Sequence, residues 1–273
     1  IHLPFALMAG FSLAMIALHN LLDPIKVTQW QGPGSAIPDM LGKVWITLHQ
    51  GGVFPILGEG SPPVVMLYPL IPWIGVMAAG YAFGRVYDWD SESRRRWLMR
   101  TGLLITAGFV LLRFSNLYGN PGDWSTQRSV VMTIVSFLNV QKYPPSLLYL
   151  MMTLGPALIL LSLWERHNRR SGDSPGHRRL SNAVITFGRV PLFFYILQWI
   201  TASAAGAFLS ALFSEYGTPT PAPPPGAPPA PTVGFDLWVV YAAWLTGILL
   251  LYPICRWYAG VKARRRDWWL SYL

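Results

Sequence analysis

Charged side chains are scarce in this sequence: Asp, Glu, Lys and Arg make up only 12% of its 273 residues. Soluble domains carry about a quarter charged residues, because a water-facing surface needs them. Hydrophobic residues make up 52% of the chain. This balance disfavours a soluble globular protein and favours one whose surface faces lipid.

Cysteine is almost absent as well, since Cys255 is the only one. A disulfide within the chain and a cysteine-rich metal site are therefore excluded, and no metal is expected. The sequence also lacks the glycine-rich phosphate loop, the dinucleotide fingerprint and the common zinc-protease and serine-hydrolase motifs. Any chemistry must then rest on polar groups at membrane depth or at the membrane surface, where ionisable side chains are costly and rare.

Positive charge exceeds negative charge, and the formal net charge is +9. A nucleic-acid-binding protein would place its basic residues along one polar face. Here they form short clusters between apolar runs, such as Arg94–Arg96 and Arg264–Arg266. This distribution is typical of topology signals in a membrane protein, and no nucleic-acid partner is expected.

Apolar runs of about 20 residues, the length that crosses a bilayer as a helix, recur along the chain. We expect an all-α, polytopic transmembrane helix bundle of about six spans, at Ile1–Leu22, Gly60–Gly84, Trp97–Leu117, Tyr143–Trp164, Val190–Ser214 and Leu237–Cys255. Arg100 and Arg113, within the third span, would extend toward opposite membrane surfaces. Gly80 and Gly84 have a spacing typical of helix packing.

Three segments lie between these spans. Ser129–Gln141 is expected to be an interfacial or re-entrant helix, and Met40–Gln50 a short amphipathic helix at the surface. The connection Glu215–Asp236 is rich in proline and is expected to be an extended extracytoplasmic loop. Residues 1–273 then form a single transmembrane domain.

The Lys and Arg residues set the expected orientation, because cytoplasmic loops carry an excess of them. Most of the 21 basic residues fall after the second, fourth and sixth expected spans. Both ends of the chain are therefore expected in the cytosol.

His19 and Asp23 stand four residues apart at the outer end of the first expected span. On a continuing helix they share a face, so the carboxylate would orient the imidazole as a general base requires. His49 falls on the same side of the membrane, and these three residues are the catalytic candidates. The alternative is a helix end that exposes polar groups to water, with His49 in a solvated loop.

Two further groups are candidates for binding. Gln141, Lys142 and Tyr143 precede the fourth span and would present hydrogen-bond donors to a polar substrate, although Lys142 equally fits an interface anchor. Arg189, beside Gly188 at the inner start of the fifth span, would hold a phosphate from the cytosol. The alternative is that Arg189 is one more positive charge of a cytoplasmic loop.

Four strings resemble a family of bacterial multi-pass proteins: HNLLD (19–23), YPLIPWIGVMAAGYAFG (68–84), FLNVQKYPPSLLYLMMTLGPALILL (137–161) and FGRVPLFFYIL (187–197). That family's domain is named for the catalytic domain of heparan-α-glucosaminide N-acetyltransferase. The resemblance implies an acetyltransferase of the bacterial inner membrane that moves an acetyl group from cytosolic acetyl-CoA to a sugar or glycolipid acceptor on the periplasmic side. It also implies a histidine that serves as acetyl carrier or base.

Family members begin with further helices and an early Asp-His motif, and Asp-His occurs nowhere in this sequence. We therefore expect N-terminal helices to be missing from this chain, and this chain alone to transfer no acetyl group. The expected partners are the lipid bilayer and the acceptor, with a homo-oligomer as a further alternative. A transporter or flippase and a non-catalytic membrane subunit are the competing functions. No Asp or Glu lies centrally in an expected span, which disfavours proton-coupled transport.

Reporter fusions test the expected orientation. We predict that fusions ending at His49, Asn120 or Pro224 are active outside the cytosol, whereas fusions ending at Arg95 or Arg178 are active only inside it. The physical reason is the excess of basic residues in alternate loops. A fusion at Arg95 or Arg178 that is active outside contradicts the topology.

Overall fold

The computed structural model describes residues 4–170, 175–212, 235–265 and 267. These residues are mostly helical, and the chain divides into two compact units, Ile1–Arg170 and Ser171–Leu273. Of the proline-rich loop expected at Glu215–Asp236, only the last two residues belong to the described part of the chain.

The first unit combines helices with a small antiparallel sheet. Its helices are α1 (Phe5–Leu18), α2 (Met40–Trp45), α3 (Leu70–Phe83), α4 (Ser91–Ser115), α5 (Val130–Leu138) and α6 (Leu147–Arg170). Its strands are β1 (Gly52–Pro55) and β2 (Pro63–Met66), paired so that Gly52 lies opposite Met66. Tight turns extend three of the helices, namely the 3₁₀ turns His19–Leu22 and Gly84–Asp88 and the π turn Ile46–Gln50.

The second unit consists, in its described residues, of α7 (Pro175–Arg189), α8 (Pro191–Leu212) and α9 (Leu237–Arg264). Its core forms around Val190, which is fully buried and packs with the buried residues Cys255 and Tyr258 of α9. The Phe193 ring stacks on the Tyr258 ring with 4.1 Å between centroids. The sequence did not predict α7, which occupies the basic connection after the fourth expected span.

Five helices in the described residues are long and apolar enough to cross a membrane: α1 extended to Leu22, α4, α6 as far as His167, α8 and α9. They indicate a multi-pass membrane protein. The expected span Gly60–Gly84 is not among them, because its first part forms β2 and α3 has only 14 residues. Proline lacks a backbone donor and valine favours strands, so Pro63 and the two valines after it keep this part extended.

The expected fold class changes accordingly. The described part of the chain is mostly helical but includes one two-stranded sheet. The six-span topology, with both chain ends in the cytosol, stays a prediction.

Glycines let the helices of the first unit approach closely. Between α1 and α3, a Cβ on Gly75 would lie 3.1 Å from Met15 Cβ. Between α4 and α6, a Cβ on Gly102 would lie 2.9 Å from the backbone oxygen of Gly155, so the two backbones touch. A Cβ on Gly80, the first residue of the expected packing pair, would meet no described atom within 4 Å. The close contact in α3 therefore lies at Gly75 rather than Gly80.

The two ends of the first unit differ in chemistry. At the first, the guanidinium of Arg85 lies 3.9 Å from the centroid of the Phe5 ring, and Arg94 Nε donates to Glu165 Oε1 at 2.8 Å. These contacts join the start of α1 to the turn after α3, and the start of α4 to the late part of α6. We call this the basic end. The opposite end, where α1 and α4 finish and α6 begins, contains His19 and is called the histidine end.

Arg113, near the end of α4, is enclosed by protein. It is only 2% exposed. It donates to the backbone oxygens of Gly122 and of three residues at the end of α5, Ser136, Phe137 and Asn139. The last carbonyl groups of a helix have no partner within the helix, so the guanidinium supplies one and ties α5 to α4. With only nine residues, α5 is too short to cross a bilayer.

Candidate functional site

His19 begins the 3₁₀ turn after α1, and both of its ring nitrogens face carbonyl oxygens. Nδ1 lies 2.8 Å from the oxygen of Ile16, and Nε2 lies 2.9 Å from the oxygen of Pro145. A carbonyl oxygen only accepts, so a ring protonated on both nitrogens satisfies both contacts and a neutral ring satisfies one. The ring is 3% exposed and ties the end of α1 to the start of α6.

Asn20 makes a second link between the same helices. Its Oδ1 accepts a hydrogen bond from the backbone N–H of Leu147, the first residue of α6, at 2.8 Å. The first amides of a helix have no partner within it, so a side chain after α1 caps α6. The Nδ2 of Asn20 donates to Asp23 Oδ2 at 2.8 Å. Asn20 therefore couples the helix junction to the carboxylate.

The segment that contains α2 places His49 beside the junction of α1 and α6. The side chain of Asp39 caps the start of α2. The π turn after α2 ends at Gln50, and the next residue, Gly51, has a φ of 69°, which glycine adopts readily. The side-chain amide of Gln50 accepts from the N–H of Val27 at 2.8 Å and donates to the oxygen of Val27 at 3.2 Å. This pair of hydrogen bonds fixes the backbone beside His49 against the segment that follows Asp23.

The imidazole of His49 contacts Asp23, with 3.1 Å between Nε2 and Oδ1. An ionised carboxylate only accepts, so Nε2 carries the proton and Nδ1 is the basic nitrogen. Nδ1 is buried without a hydrogen-bond partner among the described residues, and the whole side chain is nearly enclosed. The rings of Trp45 and His19 lie 5.3 and 6.2 Å from the His49 ring. An imidazole held by a carboxylate, with its second nitrogen unpaired, is equipped to act as a general base.

The structure therefore changes one expectation and keeps another. Asp23 was expected to orient His19, but it contacts His49. The α-helix ends at Leu18, and the following 3₁₀ turn has about three residues per turn, so residues four apart no longer share a face. His19, Asp23 and His49 nevertheless lie in one cluster. Their catalytic role stays a prediction.

The pKa of Asp23 reflects this environment. Burial raises it, but hydrogen bonds from His49 and Asn20 outweigh burial and bring the pKa below its ordinary value of 3.8. The carboxylate is therefore ionised at neutral pH. The hydroxyl of Tyr118 donates to the backbone oxygen of Ala17 at 2.6 Å. Burial, and then the charge of Asp23, raise the pKa of Tyr118.

The three substrate-binding candidates lie between α5 and α6, at the histidine end. The backbone N–H of Gln141 donates to Asn120 Oδ1 at 2.7 Å. Lys142 Nζ lies 5.0 Å from the centroid of the Tyr143 ring, whose hydroxyl lies 3.4 Å from that of Tyr68. Tyr68, and then Lys142, lower the pKa of Tyr143, and Tyr143 raises the pKa of Lys142. Lys142 and Tyr143 are exposed, so they are available to a ligand from outside.

Arg189, the candidate for phosphate binding, belongs to the second unit and is exposed where α7 ends. Its backbone oxygen accepts from Lys262 Nζ at 3.2 Å, so a second cation lies beside it. A Cβ on Gly188 would meet no described atom within 4 Å, which leaves open space next to Arg189. The Tyr258 hydroxyl in the core of this unit is buried without a partner in the described residues.

Sequence reasoning missed several residues of the site: Asn20, Tyr68, Tyr118 and Pro145. Asn20 belongs to the string HNLLD, but its partner Leu147 lies 127 positions away in the sequence. Pro145 lies 126 positions from its partner His19. Contacts at this separation leave no local spacing in the sequence.

The described residues include no group of three or more His, Cys, Asp or Glu side chains placed to hold a metal ion. The chain matches no family model, no curated protein and no solved structure. Fold and geometry thus define the class: a mostly helical protein with five candidate membrane spans in its described residues and a buried imidazole paired with a partly exposed carboxylate.

We predict that Asp23→Asn lowers the thermal stability of the purified protein at neutral pH, by about 2 kcal/mol for a lost charge-assisted hydrogen bond. The pKa of Asp23 is lower in the folded than in the unfolded protein. Its stabilising contribution is therefore present above pH 3.8 and is lost as the pH falls through the lowered folded-state value. Unfolding curves of both proteins over a pH series should converge below pH 3.8.

Asp236→Asn is the matched control, because the Asp236 side chain makes no capping hydrogen bond to α9. It should leave stability unchanged at every pH. An Asp23→Asn protein as stable as wild type at neutral pH would contradict the assignment.

Proposed function

We propose that this chain is part of a membrane acetyltransferase in which His49 is the general base. The observation that carries the proposal is the pair formed by His49 and Asp23: Nε2 is held by the carboxylate, and Nδ1 is buried without a partner among the described residues. The resemblance of four sequence strings to the bacterial acetyltransferase-like family supports the reaction class. The protein lies in a bacterial inner membrane on this proposal.

The chemistry asked of His49 is a proton transfer. Nδ1 is buried in this structure, so the proposed reaction requires the side chains that cover it to move aside for the acceptor. The hydroxyl or amine of the acceptor then gives its proton to Nδ1 while its oxygen or nitrogen attacks the carbonyl carbon of the acetyl thioester. A C–O or C–N bond forms, the C–S bond breaks, and the coenzyme thiolate leaves with the proton from His49. Asp23 keeps the ring in the required tautomer and stabilises the imidazolium between the two proton transfers.

The acceptor is a sugar or a glycolipid in this proposal. Lys142, Tyr143 and Tyr68 offer an ammonium, two hydroxyls and two aromatic faces at the end of the unit that also holds His49. Sugars are held by a small number of hydrogen-bonding groups set in an otherwise apolar or aromatic site. Gln141, whose backbone is fixed by Asn120, adds an amide to this group.

Acetyl-CoA is the proposed acetyl donor, bound from the cytosol. It carries several phosphate groups, and Arg binds phosphate in a planar, bidentate way that Lys does not match. Arg189 and the neighbouring Lys262 in the second unit supply two positive charges for those phosphates. Arg189 has the exposure and the open space beside Gly188 that such a contact requires.

The test is acetyl transfer by the full-length protein in sealed proteoliposomes, with radiolabelled acetyl-CoA on the cytosolic side and glucosamine on the periplasmic side. His49→Gln should lower the rate by about 100-fold, the contribution typical of a general base. Asp23→Asn should lower it as well, because the tautomer is no longer enforced. His167→Gln is the matched control in the late part of α6 and should transfer at the wild-type rate.

Arg189→Ala separates donor binding from chemistry in the same preparation. Loss of a charge-assisted hydrogen bond of about 1.5–3 kcal/mol should weaken coenzyme binding roughly ten- to a hundred-fold in calorimetry. Arg256→Ala, an exposed change in α9, should bind coenzyme like wild type. Equal transfer by wild type and His49→Gln, together with unchanged coenzyme binding by Arg189→Ala, contradicts the proposal.

A further inference from the structure

The short helix α5 exposes one continuous apolar stripe. Its members recur at the spacing of one helix face, i, i+3, i+4 and i+7, and are 47–68% exposed: Val131, Ile134, Val135 and Leu138. Val130 and Met132 at the start of α5 are exposed beside it. No residue of α5 carries a charge. We call the four residues the outer stripe.

The opposite face of α5 is fixed to the protein. Thr133 Oγ1 accepts from the N–H of Gln127 at 2.9 Å, and Ser136 Oγ accepts from the N–H of Ser125 at 3.1 Å. The Phe137 ring packs edge to face against other aromatic rings, with centroids 5.8 Å from Phe109 and 5.4 Å from Trp124. These contacts set which face points outward, so the exposure of the outer stripe is built into the fold.

Arg113 sets the depth of α5 relative to a candidate membrane span. It lies two residues before the end of α4, and its guanidinium binds the backbone oxygens of Ser136, Phe137 and Asn139. At a rise of about 1.5 Å per residue, Arg113 is about 3 Å from the end of α4. The carboxyl end of α5 therefore lies beside the last turn of α4, at the end of a candidate membrane span.

Positive charges flank α5 on both sides. Arg128 comes directly before Ser129, the residue that caps the start of α5, and Lys142 comes four residues after the end of α5. Both side chains are exposed. Basic residues beside an apolar helix face are the pattern by which interfacial helices bind anionic lipid surfaces. The charges complement phosphate headgroups at the same level.

We propose that the outer stripe of α5 inserts into the lipid leaflet at the histidine end, among phospholipid acyl chains, with Arg128 and Lys142 beside anionic headgroups. The polar anchors beneath α5 keep it at this depth and prevent it from crossing. The inference shares Lys142 with the acetyl-transfer proposal, but the outer stripe, its anchoring contacts and Arg128 have no part in that proposal. It adds a membrane-binding surface to the spans themselves.

Fluorescence quenching in proteoliposomes of phosphatidylcholine and phosphatidylglycerol tests the inference. In a Cys255→Ser background, a polarity-sensitive dye is attached to Val131→Cys, Ile134→Cys or Val135→Cys, each in a separate protein. At all three positions, spin-labelled phospholipid should reduce the fluorescence more than iodide in water does. The reduction should be greater with the spin label near the headgroup than with the spin label deep in the acyl chain. Glu59→Cys, at the exposed turn between β1 and β2, is the control and should show the reverse.

Two results would overturn the inference. If iodide quenches the three outer-stripe positions as strongly as Glu59→Cys, the stripe faces water. If neither quencher reaches them, protein covers the stripe, either a second copy of the chain or another part of it. Three separate positions guard against a variant that fails to fold.

Discussion

A helix that starts in a buried position has backbone N–H groups that neither its own residues nor water can satisfy, and leaving them unpaired costs free energy. In this protein, side chains that follow α1 bind the backbone at the start of α6. Asn20 accepts from the N–H of Leu147, and His19 contacts the oxygen of Pro145. The histidine end is assembled around these two contacts, because they hold α1 and α6 together where Asp23 and His49 meet.

The same contacts have a chemical consequence. Asn20, which caps α6, also donates to Asp23, and Asp23 in turn accepts from His49. A structural requirement of the helix junction thus keeps a carboxylate ionised and an imidazole oriented in a nearly closed space. Arg113 has a comparable role at the end of α5, where its guanidinium donates hydrogen bonds to backbone carbonyl oxygens that have no donor within the helix. Not every buried polar group of this unit is paired: among the described residues, Nδ1 of His49, Nε1 of Trp73, Nε1 of Trp124 and Oε2 of Glu165 are buried without a hydrogen-bond partner. Of these, only Nδ1 of His49 belongs to a ring held by a carboxylate.

The sequence predicts the parts of this structure that follow from composition and period, and misses the parts that follow from distant contacts. Apolar length predicted most of the spans, and the non-spanning character of Ser129–Gln141 was foreseen. The strand β2 was missed because Pro63 and the valines after it look apolar in any window of span length. The sequence predicted that His19, Asp23 and His49 lie on the same side of the membrane, and the structure brings them into one cluster. Their pairing was not predicted, because it depends on the 3₁₀ turn after Leu18 and on partners more than a hundred residues away.

The central claim is that Asp23 holds His49 as the tautomer protonated on Nε2, with Nδ1 free. Nitrogen NMR of protein labelled at its histidines, in lipid nanodiscs at mildly alkaline pH, reads the protonation of each ring nitrogen directly. The account predicts that the His49 signals, assigned through His49→Gln, show a protonated Nε2 and a bare Nδ1, and that Asp23→Asn abolishes this preference. A proton on Nδ1 with a bare Nε2 in the wild-type protein would contradict the account.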